Sequence, residues 1–302
     1  MNKPVWVKMR HCWELYLMVL LPVVYLIIFK YTPMFGVLIA FKQYNVIDGI
    51  LGSPWVGFQH FEAFFRSPNF WLLIKNTLGI SFYSLLAGFP IPILLALALN
   101  EVRSRLFKRT VQMVTYAPHF ISTVVMVSII ILMLTPHVGV VERLFQLLGL
   151  PTTNFMGEPG LFKSIYVWSG VWQEMGYASI IYMAALASVD PALYEAARID
   201  GASRLKKMIH IDFPALIPIS VILLILNLGS VMSVGFEKIY LMQNPLNIST
   251  SEVISTYVYK VGLLNANFSF STAVGLFNSV VNLILLVSVN FVARRISENS
   301  LW

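Results

Sequence analysis

The sequence predicts an all-α, polytopic membrane protein with six transmembrane helices. Of its 302 residues, 58% are hydrophobic and only 12% are charged, whereas a soluble domain carries about 25% charged residues. A bilayer core needs about 20 mostly apolar residues per helix, and six segments meet that requirement. They are 13–35, 76–99, 116–135, 162–188, 214–236 and 270–292.

The positions of Lys and Arg predict which side of the membrane each loop faces. More than half of the 21 basic residues lie in short segments on one side. They are Lys3, Lys8, Arg10, Arg103, Arg105, Lys108, Arg109, Arg198, Arg204, Lys206, Lys207, Arg294 and Arg295. The positive-inside rule therefore places both termini in the cytoplasm. It also accounts for the net charge of +7, and no basic block outside these short loops suggests a nucleic-acid partner.

These spans divide the chain into five parts. They are a cytoplasmic N-terminus (1–12), a first transmembrane helix (13–35), an external aromatic loop (36–75), a five-helix core (76–292) containing the loop 190–213, and a cytoplasmic C-terminus (293–302). The aromatic loop is interpreted as an interfacial segment or as a docking surface for an external protein. Cys12 is the single cysteine, which excludes an internal disulfide.

The loop 190–213 interrupts two long apolar runs, and its first half reads as a well-capped helix. Asp190 supplies an N-cap acceptor, and Pro191 suits the first helical position because its missing N–H costs nothing there. A helix over 191–199 follows. Gly201 can adopt the left-handed conformation that ends it.

The second half of the loop reads as another short helix. Ser203 can cap a helix over 204–212, which Pro214 separates from the next span. In the first helix, one face is apolar and small at i, i+3, i+4 spacing, formed by Leu193, Ala196 and Ala197. Such a face suits close approach of a partner, although a generic amphipathic connector fits the periodicity equally well.

The segment "EAARIDGASRLKKMIHIDFP" is more specific than its periodicity, because it resembles the EAA loop of ABC-importer permeases. The matching positions are Glu195-Ala196-Ala197, Gly201, Ile211 and Phe213-Pro214; the family usually has Leu where this chain has Phe213. Asn76-Thr77 resembles the start of the conserved transmembrane domain. The pattern "GVLIAFKQYN…GI…SPWVGFQHFEAFF" is similar to permeases for oligosaccharides and polysaccharide fragments. The resemblance covers essentially the whole chain.

The resemblance implies a type I ABC-importer permease with a cytoplasmic coupling helix. That helix sits in a groove of a separate ATPase and transmits ATP-driven closure, a role that falls here on Glu195, Ala196, Ala197, Asp200 and Gly201. The sequence contains no G-x-x-x-x-G-K-[ST] motif. The chain is therefore expected to be a transport subunit rather than an enzyme, without cofactor or metal, while the partner ATPase binds ATP and Mg.

The implied partners follow from the same resemblance. They are a second permease subunit, with a heterodimer expected over a homodimer, two ATPase subunits, an external solute-binding protein, a carbohydrate substrate and membrane lipid. The implied location is the bacterial cytoplasmic (inner) membrane.

Polar and aromatic residues inside the spans are candidates for the substrate path, since polar groups are costly in lipid. The candidates are Trp172, Glu174, Tyr177, Asn227, Asn278, Asn282 and, more weakly, Tyr83. Amides could bond sugar hydroxyls and aromatic rings could stack on pyranose faces. The alternative for each residue is packing between helices, where small residues and amides are common.

Three alternative functions stay open at this point. Glu174 could relay protons in an ion-coupled secondary transporter, the chain could be a scaffold subunit without a path, or the solute could be something other than a sugar. The sequence does not identify the sugar, and nothing in the predicted spans is basic enough to favour an anionic one.

Overall fold

A computed structural model describes residues 13–296 of the chain. Within that range the protein is helical, and the β-pairing is a single isolated bridge between Lys42 and Trp55. The all-α fold class predicted from the sequence is thereby confirmed. The predicted cytoplasmic N-terminus, 1–12, and residues 297–302 of the predicted C-terminus lie outside the described residues.

The α-helices follow one another with short connections. In chain order they are α1 (Trp13–Leu26), α2 (Thr32–Met34), α3 (Gly49–Gly52), α4 (Gln59–Phe65), α5 (Phe70–Gly88), α6 (Pro90–Glu101), α7 (Arg105–Tyr116), α8 (Thr123–Leu134), α9 (Val140–Leu147), α10 (Pro159–Ala187), α11 (Pro191–Ile199), α12 (Arg204–Lys207), α13 (Phe213–Gly229), α14 (Phe236–Met242), α15 (Ile248–Ser251), α16 (Ile254–Tyr259) and α17 (Phe268–Ile296). The π-helical turns are Ile27–Tyr31, Met208–Asp212 and Lys260–Leu264, and the 3₁₀ turns are Phe35–Phe41 and Ala117–Phe120.

Several of these elements are long and apolar enough to cross a bilayer. Four are continuous: Trp13–Phe41, Phe70–Glu101, Arg204–Gly229 and Phe268–Arg295. Two more are bent pairs: Arg105–Phe120 with Thr123–Leu134, at 103°, and Pro159–Ala187 with Pro191–Ile199, at 73°. Counting each bent pair as one span gives six candidate spans in the described chain.

The predicted third span, 116–135, is wrong as a single helix. Residues up to Phe120 form a 3₁₀ turn that contains Pro118, Ile121 is extended, and Ser122 caps a new helix by accepting a hydrogen bond from Val125 N–H. The turn is favoured because proline removes a backbone donor. The remaining helix α8 has 12 residues, or about 18 Å, which is shorter than a bilayer core.

The predicted break at Pro214 is also wrong. Helix α12 continues through the π-helical turn Met208–Asp212 into α13, so Arg204–Gly229 is one continuous helix. The N–H of Phe213 bonds to the Met208 carbonyl, five residues back. This widened turn makes room for the proline ring, which would otherwise clash with the preceding turn of a regular α-helix.

The described chain divides into two compact units. The first comprises 13–66 with 258–276 and contains an aromatic cluster, in which Phe41 stacks on Trp55 at 5.6 Å between ring centroids and meets the edge of Phe58 at 5.4 Å. The Lys42 ammonium closes the neighbouring turn by donating to two backbone carbonyls. Most of the predicted aromatic loop, 36–75, therefore forms ordered structure of its own.

The second unit comprises 67–257 with 277–296, and α10 is its central helix. Helices α5, α6, α7 and α13 all pack on α10. Gly176 allows the closest of these approaches, because an added Cβ would collide with the backbone carbonyl of Thr115 in α7. The buried side chains of Val167, Tyr182 and Leu186 on α10 contribute to the apolar interior of this unit.

Candidate functional site

The loop 190–213 begins with a short helix, α11, that is capped at both ends. The Asp190 carboxylate accepts a hydrogen bond from Ala192 N–H at 2.9 Å. Gly201 has φ +69°, and its N–H and the next one donate to carbonyls of the last helical turn. This Schellman pattern requires a left-handed residue, which glycine adopts without strain. The caps predicted from the sequence are confirmed.

Helix α11 is exposed along most of its length, with both polar and apolar side chains on its surface. None of its residues is buried; Glu195, Ala196 and Asp200 are exposed, and Ile199 is 87% exposed. Neither acid takes part in an ion pair within the described chain. This surface is therefore available to a partner.

The side of α11 that faces the rest of the unit is marked by Tyr194. Tyr194 and Ala197 are half-buried, whereas Leu193 and Ala196 are exposed. The tyrosine ring, rather than Leu193, reaches the neighbouring helices, so most of the small apolar face that the sequence offered to a partner stays exposed.

Tyr194 anchors α11 to two other elements through one buried acid. Its hydroxyl donates to Asp212 Oδ1 at 2.5 Å, and Asn100 Nδ2 donates to the same oxygen at 3.3 Å. Asp212 is fully buried. Nearby, Lys207 and Glu101 form an ion pair at 3.8 Å. The loop is thus tied to the end of α6 and to the start of α13.

A cavity of about 460 Å³ lies among α5, α6, α10 and α13, and apolar atoms form most of its lining. We call it the polar cavity after the group of polar side chains on one part of its wall. Hydroxyl, amide and carboxylate groups form its polar wall. They belong to Ser81, Ser84, Tyr166, Glu174, Asn227, Ser230 and Ser233. Of the path residues proposed from the sequence, Glu174 and Asn227 line this cavity.

Tyr177 joins Glu174 in a cluster that the sequence did not reveal. His119 Nδ1 lies 2.8 Å from Glu174 Oε2, and the His119 ring stacks on Tyr177 at 3.8 Å with an interplanar angle of 3°. Phe120 meets Tyr177 edge-on. The Glu174 carboxylate is therefore held by an imidazole, and Tyr177 packs on that imidazole without lining the cavity itself.

The two candidate amides of α17 do not line the cavity. Asn282 accepts a hydrogen bond from Met232 N–H and donates one to Ser233 Oγ, both at 3.0 Å. It thereby fixes the segment that carries two of the cavity serines. Asn278 Oδ1 is buried without a hydrogen-bond partner in the described chain, so it can accept a donor from a bound molecule or water.

The two remaining candidates lie on other faces. Tyr83 accepts a hydrogen bond from Trp168 Nε1 at 2.9 Å and packs beside Val167. Trp172 is 46% exposed, and it lies on the same side of α10 as Trp168, roughly opposite the cavity face. Of the seven candidates, two line the cavity, Tyr177 stacks on the imidazole beside Glu174, Asn282 and Tyr83 form hydrogen bonds within the unit, Asn278 is buried with an unbonded oxygen, and Trp172 is exposed.

Three residues at these sites were missed by sequence reasoning. Tyr166 and His119 carry no local sequence signal that would mark them. Asp212 carried one, since an acid directly before an apolar span needs a partner. No group of three metal-ligating side chains occurs between residues 13 and 296.

The comparison with known proteins places these features in one family. Residues 88–298 match the family described as binding-protein-dependent transport system inner membrane component. The chain belongs to this family. It is a permease subunit of an ABC importer, located in the inner membrane, and it is a transport subunit rather than an enzyme. This assignment decides against the alternative of an ion-coupled secondary transporter.

Two curated relatives of the permease come from Bacillus subtilis (strain 168). The polygalacturonan/rhamnogalacturonan transport system permease protein YteP is 46% identical, over 95% of this chain and 90% of the relative. Protein LplB is 43% identical over 95% and 91%. The permease also resembles, at 29% identity over 90% of its length, the arabinooligosaccharides transport system permease protein AraP.

Two solved structures share the fold of the permease. One is a bacterial ABC transporter involved in the import of the acidic polysaccharide alginate, with a TM-score of 0.91 and 42% identity over 98% of this chain and all of that one. The other is a bacterial alginate ABC transporter in complex with an alginate pentasaccharide-bound periplasmic protein, with a TM-score of 0.91 and 41% identity over 99% of this chain.

Proposed function

We propose that this permease imports an oligosaccharide delivered by an external solute-binding protein. The observation that supports the proposal best is the polar cavity, whose wall offers several hydroxyls, one amide and one carboxylate. Such groups exchange hydrogen bonds with sugar hydroxyls, each contributing about 0.5–1.5 kcal/mol. The relatives named for polygalacturonan, arabinooligosaccharides and alginate support the same substrate class.

The path residues take different parts in this proposal. Glu174 and Asn227 contact the sugar directly, because they line the cavity. Tyr177 joins them as the sugar passes the His119 ring on which Tyr177 stacks. Asn278 offers its buried acceptor to a sugar hydroxyl. Trp172 stacks on a sugar where a second permease subunit completes the path, since its ring is exposed in this subunit.

Two of the candidates act by positioning. Asn282 holds the backbone of the segment that carries Ser230 and Ser233, and Tyr83 fixes Trp168 on α10. A substitution at either residue is expected to alter the cavity without removing a direct sugar contact.

The proposed assembly contains this subunit, a second permease, two ATPase subunits and the external binding protein. Helix α11 is the proposed coupling helix, with Glu195, Ala196, Ala197, Asp200 and Gly201 at the ATPase contact. Its support is the exposed, doubly capped form of the helix and its anchoring through Tyr194. ATP and Mg bind to the ATPase partners, and both permease termini face the cytoplasm.

The test is ATP hydrolysis and uptake by the assembled complex in proteoliposomes. Oligogalacturonates and alginate oligosaccharides, each loaded on the binding protein, are expected to stimulate both activities. Asn227→Leu is expected to lower the stimulated rate several-fold, because it removes an amide from the cavity wall, and to leave the basal rate unchanged. Gln146→Leu, which removes a side-chain amide from an exposed position on α9, is the control.

Two results would contradict the proposal. Stimulation by peptides or polyols but not by any oligosaccharide would establish a non-sugar solute. Equal behaviour of Asn227→Leu and Gln146→Leu would show that the cavity is not part of the path and that its amide serves only helix packing.

A further inference from the structure

Three lysines that are distant in the sequence lie along one side of α10. Lys163 belongs to α10, Lys75 to α5 and Lys238 to α14. A Cβ added at Gly79 of α5 would lie 2.8 Å from Lys163 Nζ, and one added at Gly170 of α10 would lie 3.4 Å from Lys238 Nζ. The two ammonium groups therefore lie over helix surfaces that carry no side chain. We call Lys75, Lys163 and Lys238 the lysine stripe.

The lysine stripe leads to the polar cavity. Lys163, Tyr166, Gly170 and Glu174 follow one another at spacings of three and four residues and so share one face of α10. Lys238 Nζ donates to the Tyr166 carbonyl at 3.3 Å and lies 5.2 Å from the Tyr166 ring centroid. Tyr166 and Glu174 line the cavity. The face runs about 16 Å from Lys163 to Glu174.

The charges of the lysine stripe are not balanced by nearby acids. Within residues 13–296, none of the three ammonium groups forms an ion pair with a carboxylate. Lys75 lies one helical turn before Gly79 on α5, so it shares the helix face over which the Lys163 ammonium lies. Glu174 lies one turn after Gly170 on α10, but its carboxylate is hydrogen-bonded to His119 and not to Lys238. Lys75 and Lys163 belong to candidate spans, where an uncompensated charge faces a partner or an aqueous path, and an anion on this face would compensate the three charges.

We propose that the lysine stripe binds the carboxylate groups of an acidic oligosaccharide on its way into the cavity. This proposal rests on the oligosaccharide import proposed above and adds the charge of the substrate and the residues that select it. It revises the sequence-based view that no part of the spans is basic enough for an anionic sugar, because the three lysines are dispersed along the chain and converge only in the folded unit.

A lipid phosphate is the other anion that could meet these lysines. Lys75 is exposed, but Lys163 and Lys238 are half-buried, and Lys238 is held over a tyrosine ring on the face that leads to the cavity. This placement favours a solute in the path over a headgroup at the membrane surface.

The experiment compares trigalacturonate with its fully methyl-esterified form, which has the same sugar chain without the charges. Uptake of each is measured in proteoliposomes containing the complete importer. Lys163→Gln and Lys238→Gln are each expected to reduce the apparent affinity for trigalacturonate about tenfold, the effect of losing one charge-assisted hydrogen bond. Uptake of the methyl ester is expected to stay unchanged, which also shows that the variant is correctly assembled.

Controls separate the lysine stripe from general charge effects and from lipid binding. Arg143→Gln removes an exposed positive charge from α9 and is expected to leave uptake of both sugars unchanged. Lys163→Arg is expected to retain most of the affinity for trigalacturonate. Replacing anionic lipid with phosphatidylcholine is expected to leave the difference between the two sugars unchanged.

The outcomes distinguish this proposal from the one on which it rests. Wild-type uptake of the methyl ester in preference to the acid, or an equal loss of both sugars in the lysine variants, would overturn the lysine assignment and leave oligosaccharide import intact. A lysine effect that disappears without anionic lipid would assign the lysines to headgroups. Stimulation only by a non-sugar solute would overturn both proposals.

Discussion

A single carboxylate joins three helices of the permease. Asp212 is fully buried, and an isolated buried charge is costly unless hydrogen bonds compensate it. Its Oδ1 accepts from Tyr194 and Asn100, while no hydrogen-bond donor in the described chain reaches Oδ2. Burial and the bond to Asp212 raise the pKa of Tyr194 to about 12. The tyrosine therefore remains a donor at physiological pH.

Tyr194→Phe is expected to loosen the loop 190–213. The change leaves the buried carboxylate with one donor fewer, at a cost of about 1.5–3 kcal/mol for a hydrogen bond to a charged group. Limited proteolysis of the purified complex should show faster cleavage in this loop, and substrate-stimulated ATP hydrolysis should fall while basal hydrolysis persists. Tyr16→Phe, which removes an exposed hydroxyl from α1, is the control.

A double-mutant cycle tests whether Tyr194 acts through Asp212. Asp212→Asn keeps the shape of the side chain and removes its charge. If the two residues form one unit, the effects on thermal stability of Tyr194→Phe and Asp212→Asn are non-additive, since contacting residues usually couple. If the two effects simply add, Tyr194 does not anchor α11 through Asp212.

At the scale of elements, α11 ends at a glycine because of the backbone conformation required there, and not because neighbouring atoms leave no room for a side chain. No atom lies within 4 Å of a Cβ added at Gly201, yet its φ is +69°. Side chains other than glycine resist this conformation by about 1–2 kcal/mol, and asparagine tolerates it best. Two substitutions that both add a side chain but differ in their tolerance of a positive φ therefore separate the effect of the cap from that of the proposed ATPase contact.

Gly201→Val is expected to abolish most ATP-dependent uptake while the subunit still accumulates in the membrane. Gly201→Asn, which is larger than glycine but compatible with a positive φ, is expected to retain most of it. Uptake and the amount of ATPase subunit that co-purifies are the two measurements. Equal uptake by the two variants would show that the Schellman turn is unnecessary for the proposed coupling.

The helix that follows the loop is longer than its sequence indicates. Because the π-helical turn Met208–Asp212 accommodates Pro214, Arg204–Gly229 continues without a break from the loop into the span. Its far end reaches Asn227, in the wall of the polar cavity. The proposed coupling helix is thus connected, through residues 200–203, to one continuous helix that reaches the proposed sugar site.

At the scale of the whole molecule, the proposed orientation can be tested with the native cysteine. Cys12 is the only cysteine, and the charge distribution predicts that it faces the cytoplasm. A membrane-impermeant maleimide is expected to label Cys12 only after the cells are permeabilised. In a Cys12→Ser background, Ile47→Cys, at a position 91% exposed, is expected to react in intact cells. Labelling with the opposite pattern would invert the topology.

The sequence by itself determined the properties that depend on neighbouring residues. The membrane class follows from apolar runs, and the caps of α11 follow from Asp190, Pro191 and Gly201, whose chemistry acts within one turn of helix. The location of breaks was less predictable. Pro214 and Pro118 carry similar local signals, but one lies in a continuous helix and the other in a turn, because the backbone hydrogen bonds around each are satisfied differently.

Only the tertiary structure decided which distant groups share a site. Glu174 and His119 are 55 positions apart, and Asn100 and Asp212 are 112 apart, yet each pair forms a hydrogen bond. The sequence placed the polar residue Asn282 inside a predicted span. It did not show whether the amide of that residue bonds a sugar or the backbone of Met232. Likewise, the lysine stripe exists only because α5, α10 and α14 lie next to one another. The packing of these helices brings the three lysines together and places them beside the cavity.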